Sequence, residues 1–283
     1  MEENNKNNQG KKIQFPIIAH RYGLDSVKDG PFELGFLSLP EEETRRTKEI
    51  AAEGTECKLE DYNGRKANVE IPPYVTVIGL AAFRGNTHIK SITIPPSVTH
   101  IMSYAFANCT KLEKVEILGN NLVYIGDLAF SGCFKLKSIN IPESLKEIDD
   151  CAFNLCESLT KINLPDSLER IGEAAFAACQ ELHIKRFPKS LTKISAYSFS
   201  QIGGVFAIPD WVTEIEDGAF DWTPSSRVFV PISVKKIGYR AFDRNDTDEI
   251  HYAGSEEQWN MIEIDNTDDW LKNIKVEFNS SLI

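Results

Sequence analysis

The sequence predicts a repeat solenoid, mainly β, with a cap at each end. Three observations carry this. Phenylalanine preceded by a small residue returns at Phe83, Phe106, Phe130, Phe153, Phe176, Phe199, Phe220 and Phe242, at spacings of 21 to 24 residues, and uses eight of the 16 phenylalanines. Between these marks the apolar positions keep phase as A-F-x-x-C-x-x-L-x-x-I-x-I-P-x-S-L-x-x-I-G, clearest from Ala129 to Asp150 and from Ala152 to Ala174. Proline closes the same segment of nearly every unit, at Pro72, Pro95, Pro142, Pro165, Pro188, Pro209 and Pro231. A unit of this length cannot bury its own apolar side, so it stacks on its neighbours.

Residues 1–12 read as a disordered polar tail and residues 13–67 as an amino-terminal capping segment. Within it, Pro40-Glu41-Glu42-Glu43 starts a short helix that Gly54 stops, shielding the first coil. Residues 68–242 hold about eight coils. In each, a segment such as Leu136-Lys137-Ser138-Ile139-Asn140-Ile141 forms a short strand, and the proline after it cannot donate to a ladder. A second apolar pair, such as Leu145 and Ile148, brings the chain back beneath the sheet. Stacked ~4.8 Å apart, the coils place like residues in rows: phenylalanines, strand isoleucines and leucines, and the cysteines Cys109, Cys133, Cys156 and Cys179. At that spacing the cysteines are expected to stay free thiols, as small buried hydrophobes.

Residues 243–283 form an acidic cap with three basic and 11 acidic residues, so this segment carries −8 of the chain's −11. Ser255-Glu256-Glu257-Gln258 fits a capping box opening a short helix that carries Trp259; Trp270 and the alternating Ile274, Val276 and Phe278 follow. Three coils break the pattern and are expected to bulge locally. The third lacks its proline at Leu118-Gly119-Asn120-Asn121, the fifth has Lys185 in an apolar slot, and the sixth is two residues short near Gly203-Gly204.

The repeats AFANCTKLEKVEIL, AFSGCFKLKSINIPESLKEI and AFNLCESLTKINLPDSLERI resemble the BspA-type leucine-rich repeat, and IHYAGSEEQWNMIEI resembles the carboxy-terminal cap of such arrays. The resemblance implies a right-handed curved leucine-rich-repeat array with its parallel sheet on the concave face. It also implies a bacterial, usually exported, binding or adhesion scaffold. The amino end lacks the apolar core of a secretory signal, which points to the cytoplasm; the family points to the cell surface or to secretion.

Function classes narrow by charge and motif. A net charge of −11 argues against nucleic acid or an anionic membrane surface as partner, and no stretch approaches the ~20 apolar residues of a membrane span. The histidines His20, His88, His100, His183 and His251 fall in different phases of the repeat. There is no C-x-x-C pair, phosphate loop, zinc-protease motif or nucleophile elbow. The acidic run from Asp243 to Glu249 lacks the glycine and closing glutamate of a calcium loop and reads as a solvated turn. No catalytic, cofactor or metal residue is expected. What remains is the outward face of the strands: Lys90, then Glu113, Lys114 and Glu116, then Lys137 and Asn140, then Lys161 and Asn163, then Arg186. A cationic stripe there suits an acidic segment of a protein or peptide partner, bound by a monomer. The same lysines also blunt exposed strands and keep them soluble. Changes at Lys146 or Arg170, on the return side, are expected to affect binding little. A catalytic site in residues 13–70 is the other alternative, resting only on His20 and Cys57.

Overall fold

The computed structural model describes the backbone of residues 26–29 and 32–35, and residues 58–281 apart from 185, 204–206, 224–227, 243–248, 266, 268–270 and 272–273. The polar tail, the expected helix after Pro40, Cys57, Lys185 and Trp270 lie outside these residues. A hairpin of β1 (Ser26–Asp29) and β2 (Phe32–Gly35) pairs antiparallel with β3 (Lys58–Tyr62), and parallel stacking begins there. The array is a parallel-strand β-solenoid.

Most coils contribute two short strands, so the array carries sheets on two sides rather than on the I-x-I side alone. The expected strand segments appear as β4 (Asn68–Glu70), β6 (Ser91–Ile94), β8 (Lys114–Ile117) and β10 (Ser138–Ile139), paired in register and extended by a bridge from Ser138 to Lys161. On the return side, β5 (Val77–Ile78), β7 (His100–Ile101), β9 (Tyr124–Ile125), β11 (Glu147–Ile148) and β12 (Arg170–Ile171) continue from β3. That sheet then stops. A new one starts with β13 (Lys193–Ile194) and runs through β14 (Glu214–Ile215) and β16 (Lys236–Ile237). On the I-x-I side pairing resumes with β15 (Val228–Val230) and β17 (Glu249–Tyr252).

A third ladder runs through the phenylalanine turns. Two residues before and two after the rings from Phe83 to Phe220 the backbone is left-handed, for example at Tyr104 and Asn108, at Cys151 and Leu155, and at Tyr197 and Gln201. A left-handed L-residue costs on the order of 1–2 kcal/mol. The return is alignment: alternate N–H groups all point to the next coil. In one coil Tyr104, Phe106 and Asn108 donate to the carbonyls of Asp127, Ala129 and Ser131 at 2.7–2.8 Å, and later turns repeat the set. The small residue before each phenylalanine, such as Ala105 or Ala152, is fully buried between neighbouring coils and has no room for a longer side chain.

The rings stack face to face from Phe83 to Phe242, with centroids 4.8 to 5.9 Å apart, and none is more than 1% exposed. The row starts one coil earlier than the phenylalanines, because Tyr62 packs on Phe83 at 4.9 Å. Spacing alone hid this member, since a tyrosine replaces phenylalanine. The cysteine row is more than apolar filling: Cys109, Cys133, Cys156 and Cys179 each donate a thiol hydrogen to the phenylalanine carbonyl of the preceding coil at 3.1–3.3 Å. Thr223 makes the same bond to the Phe199 carbonyl at 3.0 Å, so the slot selects a small donor. Burial pushes the Cys109 thiol up to about 12 and the other three upward as well, keeping them protonated.

At the carboxy end the capping box is present. Gln258 N–H donates to Ser255 Oγ, Ser255 N–H donates to Gln258 Oε1, and α1 (Glu256–Trp259) places Trp259 edge-on to Tyr252 at 5.2 Å. Beyond it, β18 (Glu263–Ile264) pairs with β16 and β19 (Lys275–Glu277) with β17. Ile274, Val276 and Phe278 pack against the core.

Candidate functional site

Alternation along β6 and β8 turns Ile92, Ile94, Val115 and Ile117 inward and Ser91, Thr93, Lys114 and Glu116 outward. In-register pairing then lays the outward residues in columns. One column runs Asn68, Ser91, Lys114, Ser138, Lys161, and the next Glu70, Thr93, Glu116. Lys90, Glu113 and Lys137 lie just before the strands, in a neighbouring column linked by backbone bonds from Glu113 to Lys90 and from Lys137 to Glu113. The expected lysine stripe is therefore a zigzag over two columns.

Much of its charge is matched within the chain. Lys137 pairs with Glu113 of the coil below at 3.3 Å, Lys114 with Glu116 at 2.7 Å, and Arg186 with Asp166. Lys90 and Lys161 are exposed and form no ion pair among the described residues. Asn140, exposed on this face, has a structural task that its sequence did not reveal. Its amide accepts from Ile117 N–H at 2.8 Å and donates to the Ile117 carbonyl at 2.7 Å, continuing the ladder where the strand backbone has ended. Asn163 is exposed one coil further on.

A second site, which no sequence motif marks, lies on the return side. Where the sheet stops between β12 and β13, a cleft of about 430 Å³ opens, lined by residues including Asp150, Arg170, Glu173, Lys193, Ser195 and Glu216. Elsewhere this position is closed by a backbone bond, as from Gly172 N–H to the Ile148 carbonyl at 2.8 Å. Here the Ser195 hydroxyl takes over, donating to the Ile171 carbonyl at 2.6 Å. Arg170 is the centre of an ion-pair cluster. Its guanidinium reaches Glu147 at 2.8 Å, Asp149 at 2.5 Å and Asp150 at 2.6 Å. Burial alone would raise the Asp149 carboxyl, but hydrogen bonds from Arg170 and Tyr124 outweigh it and hold the group below its ordinary value. The sequence signal was present as carboxylates at Glu147, Asp149 and Asp150, one coil from an arginine, but only register brings them together. Cys151 is half-buried beside them, at one of the left-handed positions.

Among the described residues, one group has metal-binding geometry: Glu249, His251 and Glu277 in the carboxy-terminal cap. No described helix is long and apolar enough to cross a membrane.

Similar solved structures include a leucine-rich repeat protein from Bacteroides ovatus ATCC 8483, at 22% identity over 91% of this chain and 79% of that one, with a TM-score of 0.45. Another, from Bacteroides capillosus ATCC 29799, is 28% identical over 49% of this chain and 96% of that one, with a TM-score of 0.39. A leucine rich cell surface protein from Faecalibacterium prausnitzii A2-165 is 21% identical over 85% of this chain and 98% of that one, with a TM-score of 0.39. No curated protein matches the chain. The model of the BspA type leucine rich repeat region matches in six copies, over residues 62–183, 104–204 and 203–267. With its period, its stacked phenylalanine turns and most of its length in that match, the chain belongs to the BspA-type leucine-rich repeat family.

Proposed function

We propose that the protein is a non-enzymatic scaffold that binds an extended, acidic segment of a protein partner across the outward columns of β4, β6, β8 and β10. The observation that carries this is the in-register face itself, where exposed Lys90 and Lys161 have no ion-pair partner among the described residues while Ser91, Thr93, Ser138 and Asn163 offer hydrogen bonds. Lys114 and Lys137 add charge that the partner shares with Glu116 and Glu113. Affinity is then the sum of several solvent-exposed pairs, each worth roughly 0–1 kcal/mol. Placement at a bacterial cell surface agrees with the family and with the neighbour named as a cell surface protein.

The test is to change Lys90, Lys114, Lys137 and Lys161 to glutamate together and measure affinity for proteins captured by the wild type. Binding should be lost with stability nearly unchanged, and raised salt should weaken the wild-type complex, since exposed charges are screened at a Debye length of ~8 Å. Lys146→Glu, on the return side, should leave binding intact. Equal capture by the quadruple variant overturns the reading and directs attention to the cleft at Arg170.

A further inference from the structure

The outward side of the carboxy-terminal sheet holds the cluster of Glu249, His251 and Glu277. Register sets Phe229 of β15, His251 of β17 and Glu277 of β19 in one row, with Glu249 and Lys275 paired in the next. The His251 ring stacks on Phe229 with centroids 4.9 Å apart, and the residue is 8% exposed. Its Nδ1 lies 3.4 Å from both Ser280 Oγ and Glu277 Oε2. Its Nε2 faces Glu249 Oε2 at 3.3 Å yet forms no hydrogen bond, although the atom is fully buried. A fully buried ring nitrogen that meets its carboxylate outside hydrogen-bond geometry is left unsatisfied.

One donor atom from each of the three residues lies within 4.8 Å of the other two. An ion bound ~2.0–2.2 Å from Nε2 and from both carboxylates needs Glu249 to close in and Glu277, which faces Nδ1, to swing round the ring edge, and their side chains, 30% and 39% exposed, have room to do so. The pair already shares a cation. Lys275 Nζ sits 3.0 Å from Glu249 and 2.6 Å from Glu277. The Lys275 side chain is 62% exposed and can swing into solvent.

We infer that Glu249, His251 and Glu277 form a site for a divalent transition cation of the Zn²⁺ class, with Lys275 as the internal competitor that the ion displaces. Imidazole beside two carboxylates favours such an ion over Ca²⁺ or Mg²⁺, which prefer oxygen donors throughout. Because the ligands sit on β17 and β19, the ion would fasten the last strand to the array. Only stacking brings Glu277 to His251, 26 residues earlier in the chain.

The experiment titrates the full chain with ZnCl₂ by calorimetry, with Cys57 and Cys151, the two cysteines outside the buried row, changed to serine. One ion per chain is expected, with Ca²⁺ and Mg²⁺ binding at least tenfold more weakly. Glu277→Gln and His251→Gln should each weaken binding at least tenfold, and Lys275→Met should tighten it several-fold. Bound Zn²⁺ should also slow amide exchange in Lys275–Glu277. Because His251 is buried, Glu277→Gln and Lys275→Met, both at more exposed positions, decide the matter if His251→Gln misfolds. Zn²⁺ affinity unchanged in Glu277→Gln, or no binding by either the parent or Lys275→Met, overturns the site.

Discussion

The two halves of the array are built from the same unit yet held together differently. From Val69 to Ile148 the coils are laddered at the I-x-I strand, at the return strand and at the phenylalanine turn, and the rings from Phe83 to Phe176 stack 4.8 to 5.3 Å apart. Between Ile171 and Ile194 the return sheet is interrupted, the cleft opens, and from Phe176 to Phe242 the spacing widens to 5.6–5.9 Å. Across that gap the turn ladder persists: Ala174, Phe176 and Ala178 donate to Ala196, Ser198 and Ser200, each at 2.9 Å. Strand hydrogen bonds are therefore the part of the coil that this fold can give up. The phenylalanine turn is the continuous spine, because burial, ring stacking and three backbone bonds coincide there.

The largest expected effect tests that spine in both halves. Phe153→Ala should cost roughly 3–5 kcal/mol. Phe220→Ala, in the wider-spaced half, should fall at the lower end, because loosely packed surroundings collapse more readily around a cavity. Reversible denaturant titration compares them, and a cost for Phe153→Ala below about 1 kcal/mol would break the model of a tightly stacked row.

Acid should weaken the amino-terminal half first. Burial lowers His100 from 6.5 to about 4, so it is neutral in the folded protein while the unfolded chain takes up a proton. Stability is then full above pH ~6.5 and declines as pH falls towards 4, by about 3 kcal/mol at ~1.4 kcal/mol per pH unit. His100→Gln should flatten that part of the stability-against-pH curve. If both proteins lose stability in parallel over this window, burial of a neutral imidazole is not the cause.

Arg170 borders the interruption. Removing it takes the guanidinium partner from the buried Asp149 carboxylate, so Arg170→Ala should cost about 1–3 kcal/mol at neutral pH. Because the Asp149 carboxyl is held low, its contribution is present above the ordinary carboxylate range and lost as pH falls through its folded value, so wild type and variant should converge in acid. Lys146→Ala, which loses only an exposed pair with Glu169, should change stability by less than 1 kcal/mol. Equal losses for the two variants would mean that Arg170 is no hub.

The smallest effect is a difference in rate. If the gap between β12 and β13 is the weakest junction, the carboxy-terminal half opens as a unit below the global unfolding energy. Cys179, whose coil faces the gap, should then react with a thiol reagent faster than Cys133 under native conditions. Equal labelling of the two would show that opening is global and the junction no weaker than its neighbours.

Reading the sequence alone was enough for the period, the phase and the core, because a buried slot in a stacked array tolerates few side chains and so repeats visibly. Phe106 and Cys133 announced their rows, Pro142 its strand end, and Ser255 with Gln258 their capping box. Outward positions repeat no such constraint, and their meaning depends on which coil lies above and below. Stacking alone put Lys137 on Glu113, turned Asn140 into a ladder rung, gathered Glu147, Asp149 and Asp150 around Arg170, and brought Glu277 to His251. The left-handed turns were equally hidden. They fall on Tyr104, Leu155 and Gln201 rather than on glycine alone, since three forward hydrogen bonds per turn, and not local preference, hold the backbone there.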